Sequence, residues 1–217
     1  MSRLVIAIDG PAGAGKSAVG RRVAESLGLP FVDSGAFYRA VALLSLETGV
    51  DADDYRGLAG IADDPALQGR GDRIFEGDRD LTDQIYSPEI NERLAKVSRT
   101  AVVRVAVNAK QRALARDGVV MAGRDIGTVV FPDADFKFFL TASLDERVRR
   151  RMAQFERRGD PVDPATMRRE IEERDRSDAN RVVAPMRPAV DAVIIDTDGL
   201  GIDGVVAEIV RRVRLGK

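Results

Sequence analysis

The sequence predicts an α/β fold on a five-stranded parallel sheet, and three observations carry that reading. Short β-rich apolar runs alternate with helical patterns, the order that builds a parallel sheet covered on both faces. The first run, residues 4–8, feeds straight into Gly10-x-x-x-x-Gly15-Lys16-Ser17. With 217 residues, 44% of them hydrophobic, the chain is long enough for one domain with a sizeable core.

The element order follows the chain. After the strand at 4–8, Gly10, Pro11, Ala12, Gly13, Ala14 and Gly15 form a loop whose backbone N–H groups can converge on one point. The helix expected from Lys16 adds its partial positive charge there. Lys16 can reach the β- and γ-phosphates of a bound nucleoside triphosphate, and the Ser17 hydroxyl is placed to ligate Mg²⁺. A glycine-rich turn that binds nothing is the alternative; all four fixed positions and the preceding strand are present together, which disfavours it. Further strands are expected at 31–33, 119–122, 136–140 and 192–196, with helices starting near Ala36, Leu144 and Ile202. Ligands on such sheets gather at the carboxyl ends of the strands, which points to Ser34, Arg124, Asp125 and Thr141.

Two intervals exceed a simple crossover. Residues 51–118 read as an insertion: a polar, turn-rich stretch at 51–64, a hairpin near 73–81 turning at 76–78, and a helical pattern from 89 to 116. Residues 144–187 carry many arginines, and the turn-rich stretch at 159–164 divides them into two helices. A solvated face with i,i+4 pairs, Glu146 with Arg150 and Glu170 with Arg174, explains single arginines there. The group as a whole fits a flap that closes over phosphates, since arginine suits bidentate phosphate contact.

The chain has no histidine and no cysteine, which excludes Ser-His catalysis, imidazole bases, disulfides and Cys- or His-ligated zinc. Phosphoryl transfer tolerates that absence, because it relies on positioning and charge. A net charge of −1 argues against nucleic acid as a partner, and no apolar run is long enough for a membrane span. The start of the chain lacks the form of a secretory leader. A cytoplasmic protein acting as a monomer is expected.

Three clusters suit an anionic phosphoryl acceptor: Asp33-Ser34-Gly-Ala-Phe-Tyr-Arg39, Gly123-Arg124-Asp125-Ile-Gly127-Thr128, and Arg174-Asp-x-x-Asp178-x-x-Arg181. Ser34 is also a plausible helix cap, and residues 174, 178 and 181 share one helical face. Together with the phosphate loop and the run Ile126-Gly-Thr-Val-Val-Phe-Pro-Asp133, these clusters resemble bacterial-type cytidylate kinases over nearly the whole chain, least between 50 and 99. The resemblance implies a three-layer P-loop kinase fold with a core (about 1–50, 119–150 and 182–217), a monophosphate-binding insertion (51–118) and a helical lid (151–181). It implies ATP, CMP and dCMP as substrates, with Mg²⁺. It makes residues 10–18 the ATP site and Lys16, Arg174 and Asp178 catalytic. Ser34, Arg104 and Asp125 would read the cytosine; Arg39, Arg124 and Arg181 would hold the CMP phosphate, with Asp178 on the sugar. The chain departs from the family at Ala18, usually threonine, so a contact to the α-phosphate is not carried over. It departs again at Tyr86, commonly arginine. Kinases for UMP, AMP or shikimate are rivals that the insertion and Arg124-Asp125 disfavour. A GTPase-type switch lacks its Asn-Lys-x-Asp motif here.

Overall fold

The computed structural model describes residues 3–157 and 162–216. Five parallel strands form the central sheet: β1 (Val5–Asp9), β2 (Phe31–Asp33), β6 (Val119–Ala122), β7 (Phe136–Thr141) and β8 (Val193–Asp196), in the order β2-β6-β1-β7-β8. All five fall where the apolar runs put them. The two-residue pleat sorts their side chains onto two cores. Ile6, Ile8, Val120, Phe138 and Leu140 pack with α1 (Lys16–Leu27) and α8 (Ile202–Leu215), while Val5, Ala7, Val32 and Met121 pack on the opposite face.

That opposite face is covered by α2 (Ser34–Glu47) and by the insertion itself: α3 (Tyr55–Asp63), the antiparallel strands β3 (Leu67–Arg70), β4 (Arg73–Glu76) and β5 (Arg79–Asp80), α4 (Pro88–Arg99) and α5 (Ala101–Leu114). Leu58, Leu67, Ile74, Ile90, Leu94 and Val107 join the same apolar cluster as Val5 and Met121. The insertion therefore completes the sheet's own core.

Three expectations need correction. Residues 51–64 hold a helix: Asp54 caps α3 by accepting from the N–H groups of Arg56 and Gly57, a signal that two glycines and five aspartates in the stretch obscured. The hairpin is a three-stranded sheet, because β3 pairs with β4 across Gly71-Asp72. Gly71 and Gly77 both have positive φ at the first of two loop residues, the position that a II′ hairpin reserves for glycine. The helical pattern at 89–116 is two helices, broken at Thr100, whose extended backbone caps both.

The arginine-rich interval forms α6 (Leu144–Glu156) and α7 (Pro164–Ala179), packed through Val148, Met167 and Ile171. Of the turn expected between them, residues 159–161 lie outside the described residues, as does Arg158. Among the described residues no helix is long and apolar enough to cross a membrane.

Because the insertion shares the sheet's core, Leu58→Ala should act on the whole molecule. Leu58 is fully buried, and the expected cost is about 2–5 kcal/mol. Denaturant unfolding should remain a single transition at a lower midpoint; an early, separate transition for the insertion would contradict the shared core.

Candidate active site

The phosphate loop leaves β1 at Asp9 and enters α1 at Lys16. Gly10, Gly13 and Gly15 all have φ between 79° and 145°. A Cβ on Gly10 would lie 2.1 Å from the Leu140 carbonyl oxygen, and one on Gly13 would meet the Cβ of Arg147 at 3.0 Å. Close packing against β7 and α6 thus demands glycine at both positions. Lys16 is buried and donates to the Pro11 carbonyl at 2.7 Å. Burial first, and the positive charge of Arg124 second, push its pKa well below the usual lysine value. Ser17 Oγ donates to Asp33 Oδ2 at 2.6 Å. Ala18 is exposed on α1.

Asp33 also caps α2, accepting from the Gly35 N–H at 2.9 Å. The cap is therefore Asp33, and Ser34 is free for another partner. Ser34 is buried, and its Oγ and carbonyl accept from the Gln111 amide.

Around Asp125 and Asp178, beyond the end of β6, the structure gathers four arginines. Arg104 pairs with Asp125, donates to the Ser98 carbonyl at 3.0 Å and lies 5.2 Å over the Tyr38 ring. Arg124 donates to Asp178 at 2.9 Å and Arg174 to the same oxygen at 3.2 Å. Arg174 thus turns to Asp178 rather than to Glu170, whereas Arg150 does pair with Glu146 at 2.7 Å. Arg181 lies past the end of α7, yet it still reaches both carboxylates at 3.9 Å. Burial works against the charge on Asp178, but Arg124, Arg174 and Arg181 outweigh it and hold its pKa below the usual carboxylate value.

Arg39 is held by the insertion: it donates to Asn91 Oδ1 at 2.7 Å and the Ile85 carbonyl at 3.3 Å, with its guanidinium 5.1 Å over the Tyr86 ring. Burial, with Arg174 nearby, lowers its pKa to about 10.

A family model described as cytidylate kinase matches residues 6–215. This chain belongs to the cytidylate kinase family. A cytidylate kinase of Pelotomaculum thermopropionicum is 47% identical over 218 residues, covering 98% of this chain and 96% of that protein. One from Desulforamulus reducens is 46% identical over 216 residues, covering 98% and 97%. A bifunctional pantoate ligase/cytidylate kinase of Synechococcus is 44% identical over 220 residues, and the match takes up 41% of that longer protein.

This cytidylate kinase family member contains site residues that sequence reasoning passed over. Asp175, next to Arg174, accepts from the Ala12 N–H at 3.2 Å and pairs with Arg147, which donates to the Ala12 carbonyl at 3.1 Å. Helices α6 and α7 thereby touch the phosphate loop. Nothing in the spacing distinguishes Asp175 or Arg147 from the other charges around them. Asp9 is the second omission. Its carboxylate accepts from the N–H groups of Ile126 and Gly127, both at 2.8 Å, and so fixes the turn that carries Asp125.

Burial pushes the Asp9 carboxyl up from 3.8 to about 6, Asp125 adding to the effect, while the two N–H groups and Lys16 pull it back. An acid with a raised folded-state pKa holds its proton more tightly when folded. Its stabilisation is complete below about pH 4 and is lost as pH rises through about 6. Measured by denaturant unfolding, the stability of the native chain relative to Asp9→Asn should fall by on the order of 3 kcal/mol between about pH 4 and pH 7. A flat difference would show that Asp9 ionises as an ordinary surface carboxylate does.

Proposed function

We propose that this chain transfers the γ-phosphoryl group of ATP to CMP and dCMP, giving CDP and dCDP for pyrimidine nucleotide metabolism. Membership of the family supports the reaction class, and one observation in the site carries the reading. Four guanidinium groups, those of Arg104, Arg124, Arg174 and Arg181, face two carboxylates, Asp125 and Asp178. Two positive charges are left over at the strand ends beside the phosphate loop. A phosphate monoester dianion complements that excess.

On this reading residues 10–18 bind the ATP phosphates through the loop amides and Lys16. Arg39, Arg124 and Arg181 hold the CMP phosphate, Asp178 reaches the sugar, and Ser34, Arg104 and Asp125 read the cytosine. A carboxylate suits the exocyclic amine of cytosine as an acceptor, whereas uracil would present O4 to it and leave acceptor facing acceptor. The all-oxygen pair of the Ser17 hydroxyl and the Asp33 carboxylate fits Mg²⁺. Held there, Mg²⁺ would supply neutralisation of the negative charge of the bound triphosphate.

An oxygen of the CMP phosphate attacks the γ-phosphorus, and the bond to the β–γ bridging oxygen breaks, releasing ADP. The attacking oxygen is already anionic, so no general base is required, which accords with a chain devoid of histidine. Lys16 and Arg174 offset the charge that moves onto the leaving oxygen. Closure of α6 and α7 over the loop excludes water and limits loss of ATP to hydrolysis.

A panel of nucleoside monophosphates with ATP as donor tests the reading: turnover is expected to be fastest with CMP and dCMP, and equal or faster turnover with UMP or AMP would refute it. Arg174→Ala should lower kcat by roughly 100-fold or more with little change in the KM for CMP. The opposite split would make Arg174 a binding residue. Asp125→Ala should raise the KM for CMP by about 10- to 100-fold while leaving that for ATP near its native value; equal losses for both substrates would assign Asp125 a structural role.

A further inference from the structure

Gln111 lies on α5 seven residues beyond Arg104, on the same helical face. It is fully buried. Its amide nitrogen donates to the Ser34 carbonyl at 3.3 Å and to Ser34 Oγ at 2.8 Å. The bond to a carbonyl fixes the orientation of the amide, because only the NH₂ end can serve it. The other end, Oε1, is buried without a hydrogen-bond partner.

A buried acceptor left unpaired loses its hydration and gains nothing in return, so an apolar side chain of similar shape would be the cheaper occupant. The remaining buried polar atoms without a partner, among the described residues, are Arg104 Nε, Arg181 Nε and Nη2, and Thr128 Oγ1. Arg104 and Arg181 are the two arginines that face Asp125. Ser34 borders the same turn, its Cβ 3.3 Å from where a Cβ on Gly123 would stand. Three of these five atoms belong to the two arginines at Asp125, and Gln111 is joined to the turn beside it through Ser34. Arg181 follows the end of α7, so any displacement of that helix would carry Arg181 with it.

We propose that Gln111 determines base specificity: its NH₂ holds Ser34 in place, and its Oε1 accepts one hydrogen of the base's exocyclic amine while Asp125 accepts the other. An amine has two hydrogens and the pocket offers two acceptors. Uracil brings a carbonyl oxygen to that position and meets two acceptors with no proton to share. This inference deepens the proposed function and rests on it.

The near-isosteric Gln111→Met removes the acceptor and the clamp on Ser34. The kcat/KM preference for CMP over UMP is expected to fall about tenfold or more, through the KM for CMP, with the KM for ATP unchanged. An unchanged preference in the folded variant would overturn the proposal. The native enzyme supplies a second measurement that does not depend on the variant's folding. N4-methyl-CMP, with one amino hydrogen, should be used at least tenfold less well than CMP, and equal use would overturn the proposal. Where Gln111→Met folds, it should narrow that gap. A native enzyme that prefers UMP or AMP defeats the proposed function itself. A native preference for CMP that survives Gln111→Met defeats only the role of Gln111.

Discussion

Two nearly inaccessible carboxylates, Asp125 and Asp178, are the constraint on which the rest of the site depends. Arg104, Arg124, Arg174 and Arg181 come from α5, from the turn after β6, from α7 and from the segment that follows it. Guanidinium groups brought this close repel one another, and burial adds the cost of removing their water. Arg181 records that strain: burial, and then Arg104, lower its pKa, while Asp178 and Asp125 work to restore it. The two carboxylates offset that repulsion between the segment after α7 and the sheet. With them, the cluster closes and still keeps the positive excess that a phosphate needs.

The sheet delivers these groups by register. β1 pairs with β6 and β7, so Asp9, Ala122 and Thr141 end at neighbouring points along one edge. Asp9 then grips the N–H groups of Ile126 and Gly127, which ties the phosphate loop's own strand to the turn bearing Asp125. Asp33 does the same on the other side, capping α2 while accepting from Ser17. Asp33 divides its contacts between Ser17 and the start of α2, while Asp9, at the end of the loop's own strand, places both of its contacts on the turn. The distance between the two halves of the site is consequently set by short side chains on rigid elements, the arrangement that holds reacting groups best.

The five strands and the phosphate loop were legible in the sequence because local pattern specifies them: an apolar run fills a buried strand, and glycine is the residue that tolerates the loop's backbone. The convergence of Arg124, Asp125, Arg174, Asp178 and Arg181 was legible as motifs, since each cluster lies at a strand or helix end. Helix α3 was hidden because its helical signal, the Asp54 cap, sits within a stretch whose glycines and aspartates also suit a turn. Strand β3 was hidden because Gln68, Gly69 and Arg70 have little β-propensity and are held by pairing with β4. Gln111 and Asp175 were hidden for a different reason. Each bonds to a residue 77 or 163 positions away in the chain, and no periodicity encodes such a pairing.

Side-chain bonds join the phosphate loop to α6 and α7. Lys16 is satisfied by the Pro11 carbonyl, and the Ala12 N–H is satisfied by Asp175, with Arg147 bridging Asp175 to the Ala12 carbonyl. These are the groups that the proposed function assigns to phosphates. On that reading a triphosphate entering the loop takes Lys16 from Pro11 and competes with the Asp175 carboxylate for the Ala12 amide. Two anions compete for one donor, so on that reading occupancy of the loop weakens the hold on α7 one residue from Arg174. On the same reading, binding of the donor is felt at the arginine proposed to stabilise the transferring group, which directly precedes Asp175 in α7.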